Sequence, residues 1–163
     1  RKEMDRAKEM TVETEAIVSK IQERLGDHPD LYFTGFVQDS MKEHTEASIF
    51  YSFISGDSLP THSSLGVEMA AYLNGLAEAA SELRRYILDS LRQGDDARCE
   101  DLMVKMDDVY TTLVIMDFPD ALTGGLRRTT DALRAVLERT RGDLTLTMRQ
   151  RRLEEILAKQ KTE

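Results

Sequence analysis

Apolar residues recur along the chain at alternating steps of three and four, the period of helices that bury one side, and no stretch carries a convincing strand pattern. The first helix is expected over Lys2 to Leu25, with Met10, Ile17, Ile21 and Leu25 as its stripe and Gly26 as its stop. It is helical from its first residue, which is compatible with further chain upstream. Residues 27–30 (DHPD) read as a turn, with Asp30 as a cap and His28 as a surface residue. A second helix is expected from about Leu31 to Ile54. Along it Phe36, Asp39, Glu43, Glu46, Phe50 and Phe53 fall on one seam, so two glutamates lie between phenylalanines on a face expected to point inward.

Residues 56–64 (GDSLPTHSS) form a loop in which Ser63 or Ser64 is placed to cap the next helix, helped by Glu68. That third helix is expected from about Leu65 to Arg92. Its core stripe is Met69, Leu73, Leu76, Ala80, Leu83, Ile87 and Leu91; a second row carries Ala71, Gly75, Glu78, Glu82 and Arg85, and small residues at 71, 75 and 79 would let another helix approach closely. A fourth helix, about Ala97 to Met116, repeats Leu102, Met106, Val109 and Leu113. After residues 117–120 (DFPD) a fifth covers about Asp120 to Arg141, and either continues through Gly142 to Lys161 or restarts with Asp143 as cap. Short connections between long helices point to an all-α fold, a single-domain helical bundle over residues 1–163.

Charge narrows the functional classes. With a net charge of −8, a protein that grips nucleic acid over its whole surface is disfavoured, although residues 117–163 carry ten Lys/Arg against eight Asp/Glu. The single Cys99 excludes an internal disulfide framework, reads as an inert thiol and suits a reducing, cytoplasmic setting. No apolar run approaches the roughly 20 residues of a membrane span, and the N-terminal RKEMDR lacks the apolar stretch of a signal peptide, so no membrane partner is expected.

Phosphate-binding glycine loops, zinc-ligand spacings and a Ser-His-Asp order with its supporting motifs are all absent, and His28, His44 and His62 are scattered. What remains is carboxylate. Glu43 and Glu46 stand three apart, Glu78 and Glu82 four apart, so each pair sets like charges side by side on a helix. Exposed, such a pair costs only ~0.2–0.5 kcal/mol; buried, it calls for a cation or a shared proton. Four glutamates converging from two helices would suit a hard divalent ion, Mg²⁺ or Mn²⁺. A di-iron site is disfavoured because the position three after Glu43 is Glu46, not histidine. Lys42 and Arg85 are the nearby cations. On spacing alone, a merely solvated acidic face stays open.

Three stretches, Phe33–Ala47 (FTGFVQDSMKEHTEA), Tyr72–Leu83 (YLNGLAEAASEL) and Phe118–Arg128 (FPDALTGGLRR), resemble the translin / translin-associated factor X family, most of all its single-subunit archaeal-type members. The resemblance runs from the second helix to about Arg152. It implies an all-helical fold of about six to seven helices assembled into a hollow homo-oligomer, an octamer. It also implies a Mg²⁺-dependent endoribonuclease acting on RNA inside that shell, or, in translin-type members, a non-catalytic binder of single-stranded RNA or DNA. Carried across, the family's catalytic and metal-holding acids fall on Glu43, Glu46, Glu78 and Glu82. Glu78 departs from the family's Asp, so the expected direct ligands are Glu43, Glu46 and Glu82, with Glu78 direct or through water. Arg84, Arg85, Arg127 and Arg128 are the candidates for nucleic-acid contact.

Overall fold

The third helical stripe becomes the centre of the molecule, because it has neighbours on three sides. In the computed structural model, which describes residues 2–160, eight helices follow one another: α1 (Lys2–Leu25), α2 (Pro29–Tyr32), α3 (Gly35–Ser55), α4 (His62–Leu65), α5 (Met69–Gln93), α6 (Asp96–Val114), α7 (Asp120–Thr123) and α8 (Leu126–Gln160). No strand occurs among the described residues. Arg1 and residues 161–163, which fall within the expected domain, lie outside them.

α5 packs against α3, α6 and α8, and α6 packs against α8. Leu73, Leu76, Ala80, Leu83, Ile87 and Leu91 are buried as the stripe foretells, while Met69, the first residue of α5, is exposed; Leu102, Met106, Val109 and Leu113 of α6 and Leu133, Leu137 and Leu144 of α8 are buried with them. Each fully buried leucine or isoleucine contributes ~1.5–3 kcal/mol to holding these helices together. Cations from α6 also close the C-terminal end of α3: Lys105 Nζ donates to the Phe53 carbonyl (3.1 Å), and Arg98 donates to the carbonyls of Phe53 and Ile54. That is where a helix dipole favours positive charge.

The two outer helices depart from the sequence pattern. α3 is held between α1 and α5, so its buried face is Val37, Met41, His44, Thr45, Ile49, Ser52 and Phe53. The expected seam is therefore an edge: Phe36 is 74% exposed, Asp39 and Glu43 are exposed, Glu46 and Phe50 are half-buried, and only Phe53 is in the core. In α1, Met10 and Ile17 face outward and Val18 is buried instead, with Ile21 and Leu25 packed beside it. Its main partner is α3, and a helix with so little cover buries only a narrow strip.

Boundaries shift for local reasons. Thr61, not Ser63 or Ser64, caps the turn before α5, its Oγ1 accepting from the Ser64 N–H (3.1 Å), and α5 itself starts at Met69; Glu68 precedes it without a side-chain cap. Pro29 opens α2, so Asp30 lies inside that turn and does not cap it. The expected fifth helix splits after Thr123, because Gly124 (φ 60°) and Gly125 (φ 82°) take the left-handed conformation that glycine adopts freely. Gly142 has no such role. α8 runs through it as one helix of 35 residues, roughly 50 Å long. Asp143 is not a cap but the ion-pair partner of Arg84.

Candidate metal centre

Close approach of two helices sets up the acidic site. A Cβ on Gly75 would stand 2.8 Å from the Lys42 carbonyl oxygen and 2.8 Å from Thr45 Cβ, so α5 touches the backbone of α3 at this height only because position 75 has no side chain. Ala71 and Ala79, on either side, are buried as well. One turn beyond Gly75, Glu78 emerges beside Lys42. The Lys42 ammonium lies 3.0 Å from both Glu78 carboxylate oxygens and 3.9 Å from Glu43 Oε1.

Glu43, Glu46 and Glu78 each offer a carboxylate oxygen, and these atoms lie within 4.8 Å of one another. Glu82 is not in that trio. A step of four carries it one turn further along α5, where, exposed, it joins Glu43, Glu46, Ala47 and Phe50 around a small cavity of about 230 Å³. Glu78, the acid expected to be direct or water-mediated, is thus nearer the other two than Glu82 is.

The electrostatics centre on Glu46. Burial pushes its carboxyl up from 4.5 to about 7, and the charges of Glu43, Glu78 and Glu82 push the same way against a lesser pull from Lys42. For Lys42, burial lowers the ammonium, but the hydrogen bond and charge of Glu78, with Glu43 and Asp39, outweigh it and the net movement is upward. A half-buried carboxyl poised near neutrality among other carboxylates is a group that takes either a proton or a cation. Hard oxygen donors from two rigid helices fit Mg²⁺ or Mn²⁺, with Glu43, Glu46 and Glu78 as the residues able to hold it.

Behind the acids, His44 faces the other way. It is buried under α1, its Nδ1 3.0 Å from Thr14 Oγ1, while its Nε2 has no hydrogen-bond partner. Burial lowers its pKa against an opposing pull from Glu15. Nothing in the spacing of the sequence singled out this contact, which joins residues 30 apart.

The four arginines end in different places. Arg84 ties α5 to α8, donating to Asp143 Oδ2 (2.7 Å) and Thr140 Oγ1 (3.3 Å), whereas Arg85 is exposed. Arg127 and Arg128 are exposed at the start of α8. Of the four, Arg128 shares a cavity with one of the acids, Glu78: a groove of about 870 Å³ also lined by Phe33, Gln38, Lys42 and Asn74. Arg127 lines a separate cavity of about 920 Å³ with Asp117, Asp120 and Asp131. Asn74, absent from the sequence expectations, anchors that groove. Its Nδ2 donates to the carbonyls of Thr123 (2.7 Å) and Ala70 (2.9 Å), and its Oδ1 accepts from Thr129 Oγ1 (2.7 Å), pinning α7 and the start of α8 to α5.

This arrangement of helices is shared with solved structures. The crystal structure of AfC3PO is 33% identical, covers 90% of this chain and 76% of its own, and superposes with a TM-score of 0.82. The chain belongs to the translin family of C3PO-like proteins. AfC3PO in complex with duplex RNA is similar at 28% identity and TM-score 0.75, over 92% of this chain and 93% of that one. Apo-NeC3PO, at 18% identity and TM-score 0.68 over 90% and 92% of the two chains, shares the fold. A sequence relative, the uncharacterized protein MJ0175 of Methanocaldococcus jannaschii, is 29% identical over 126 residues, and the chain spans only 56% of its length. No family model matches the chain. No described helix is long and apolar enough to cross a membrane.

Proposed function

We propose that this translin-family protein is a divalent-metal-dependent endoribonuclease of the factor X type. One observation carries the reading: three carboxylates meet within 4.8 Å across two helices, and one of them is driven to a pKa near 7. RNA as substrate is supported by the similarity to AfC3PO, a protein that binds duplex RNA. Bound among Glu43, Glu46 and Glu78, Mg²⁺ or Mn²⁺ would supply an acidified water and neutralise charge on the phosphate under attack. To hold such a cation Glu46 would have to be in its ionised form, which its pKa of about 7 leaves within reach at neutral pH. Glu82, on the rim of the same cavity, is placed to orient or deprotonate the water. Lys42 holds Glu78 in place and, with Arg128 across the neighbouring groove, offsets the negative charge a strand would meet. Arg85 and Arg127 are left for more distant phosphate contacts, and Arg84 for holding α5 to α8.

We take residues 1–163 as one translin-like domain, working in the cytoplasm as a homo-oligomer, an octamer that encloses its RNA. The apolar surface left open at Phe36 (74% exposed), Ile115 (75%) and Leu122 (69%) supports self-association. A second reading, a non-catalytic binder of single-stranded RNA or DNA, is favoured by one feature: the Lys42 ammonium already neutralises Glu78 without a metal. Incubation of labelled RNA with Mg²⁺ or Mn²⁺ separates the two. Cleavage that needs the ion and disappears in Glu46→Gln, with helical content retained, supports the nuclease. An intact strand bound with steep salt dependence supports the binder.

A further inference from the structure

The acidic centre stands between two unlike cavities. On one side is the groove that carries Lys42, Gln38 and Arg128. On the other, Ala47 and Phe50, which wall the small cavity of the acids, are also walls of an almost wholly apolar cavity of about 400 Å³ between the N-terminal half of α1 and the α3–α5 pair. Its further walls include Ala7 and Met10 of α1, Tyr51 of α3 and Tyr86 of α5, so aromatic side chains reach it from two helices. A volume of ~300–1,000 Å³ is that of a small-ligand pocket.

A nucleotide has the same two-sided character: a charged sugar-phosphate and a flat, weakly polar ring. We propose that the apolar cavity is a base pocket, taking one unstacked nucleobase of the strand whose phosphate lies at Glu43, Glu46 and Glu78. The inference rests on the ribonuclease reading above for what passes the acids. A base inside a duplex is stacked and paired and cannot enter such a pocket, so the nucleotide beside the cut is unpaired or turned out of its helix. With few polar atoms on the wall, the pocket weighs ring area and not hydrogen-bonding edges. Purines are therefore held more firmly than pyrimidines, and sequence is otherwise ignored.

The test compares two decamers by fluorescence anisotropy in metal-free buffer: an oligoadenylate and the same ribose-phosphate strand without bases. The intact protein is expected to prefer the base-bearing strand by about tenfold, the scale of one base stacked on aromatic rings. Ala7→Trp and Thr11→Phe, which fill the cavity from α1 and leave the acids alone, are expected to abolish that preference while binding the base-free strand as before. The proposal is overturned if both variants keep the preference, or if they weaken both strands equally. It is also overturned if filling the cavity changes the mass of the assembly by light scattering and leaves the preference intact, since the cavity is then a contact between subunits. Adding Mg²⁺ separates this from the parent reading. Strands that stay whole while the preference follows the cavity sink the ribonuclease and keep the base pocket; cleavage with a preference blind to the filling variants does the reverse.

Discussion

Two polar sites on α5 lie one turn apart and are built on opposite principles. Asn74 is 6% exposed, and its side chain meets the carbonyls of Ala70 and Thr123 and the hydroxyl of Thr129. Glu78 leads into a cluster in which three carboxylates face one another with a single lysine between them. The first site satisfies every group it buries and so stabilises the fold. The second leaves like charges in contact, a cost that architecture alone has no reason to keep. The difference separates structural polarity from polarity held ready for a ligand.

Breaking the second site is expected to have the largest effect, and only on chemistry. If the protein is the proposed ribonuclease, Glu46→Gln should lower RNA cleavage by at least about 100-fold, since one of the proposed metal-holding carboxylates and its charge are lost together. Its thermal midpoint at pH 8 should stay level or rise, because the like-charge repulsion goes with the charge. A midpoint that falls by several degrees would put Glu46 on the structural side of the comparison. Gly75→Ala reaches both sites through the backbone. A methyl group there would stand 2.8 Å from the Lys42 carbonyl and Thr45 Cβ, and α3 must move outward. Such overpacking costs about 1–3 kcal/mol. Chemical denaturation should record that loss, and cleavage should fall with it as Glu78 is drawn away from Glu43 and Glu46.

Asn74→Ala inverts the pattern of Glu46→Gln. It leaves the Thr123 carbonyl without the Asn74 donor and the Thr129 hydroxyl with only its long 3.5 Å contact to the Gly125 carbonyl, a loss of about 1–3 kcal/mol that should lower the melting midpoint by several degrees. Metal affinity, followed by Mn²⁺ titration, should change little, because the hydrogen bonds of Asn74 go to Ala70, Thr123 and Thr129 and to none of the acids. Loss of Mn²⁺ binding in this variant without loss of stability would erase the distinction between the two sites.

How much of this was legible beforehand depended on how many neighbours an element has. Apart from Met69, exposed in the first turn of α5, the stripes of α5 and α6 read correctly because wide faces of both are covered, Leu83 and Ile87 on one and Leu102, Met106 and Leu113 on the other. The small-residue row at 71, 75 and 79 correctly announced a close approach. α3 misled because it is covered from two directions, which moves its buried face to Met41, Thr45 and Ile49 and turns the Phe36–Glu43 row to the open edge. Spacing brought Glu78 and Glu82 to one face, but which of them meets α3 depends on the height at which Gly75 touches Lys42, and no periodicity records that. Glycine was equally ambiguous: Gly124 and Gly125 break a helix, while Gly142 passes unnoticed inside one. Asn74 and His44 escaped notice because their partners lie 49 and 30 residues away.

The smallest expected effect is the pH dependence of the metal-free protein. Glu46 titrates near 4.5 when unfolded and near 7 when folded, so between those values the folded state binds more protons. Its contribution to stability is therefore fully present below about pH 4.5 and is lost as pH rises to about 7. With solvent screening at this half-exposed site the loss amounts to about 1–2 kcal/mol. Denaturation in EDTA at pH 5 and pH 8 should show it as a difference between the native protein and Glu46→Gln, which cancels the many other groups titrating in the same range. If a cation binds at Glu46 as proposed, adding Mn²⁺ at pH 8 should restore the lost stability to the native protein and not to the variant, since cation and proton would compete for one carboxylate. A pH difference that persists undiminished in Glu46→Gln would mean that the strain between the two helices lies elsewhere, and that the acidic site is no more poised than the amide site one turn away.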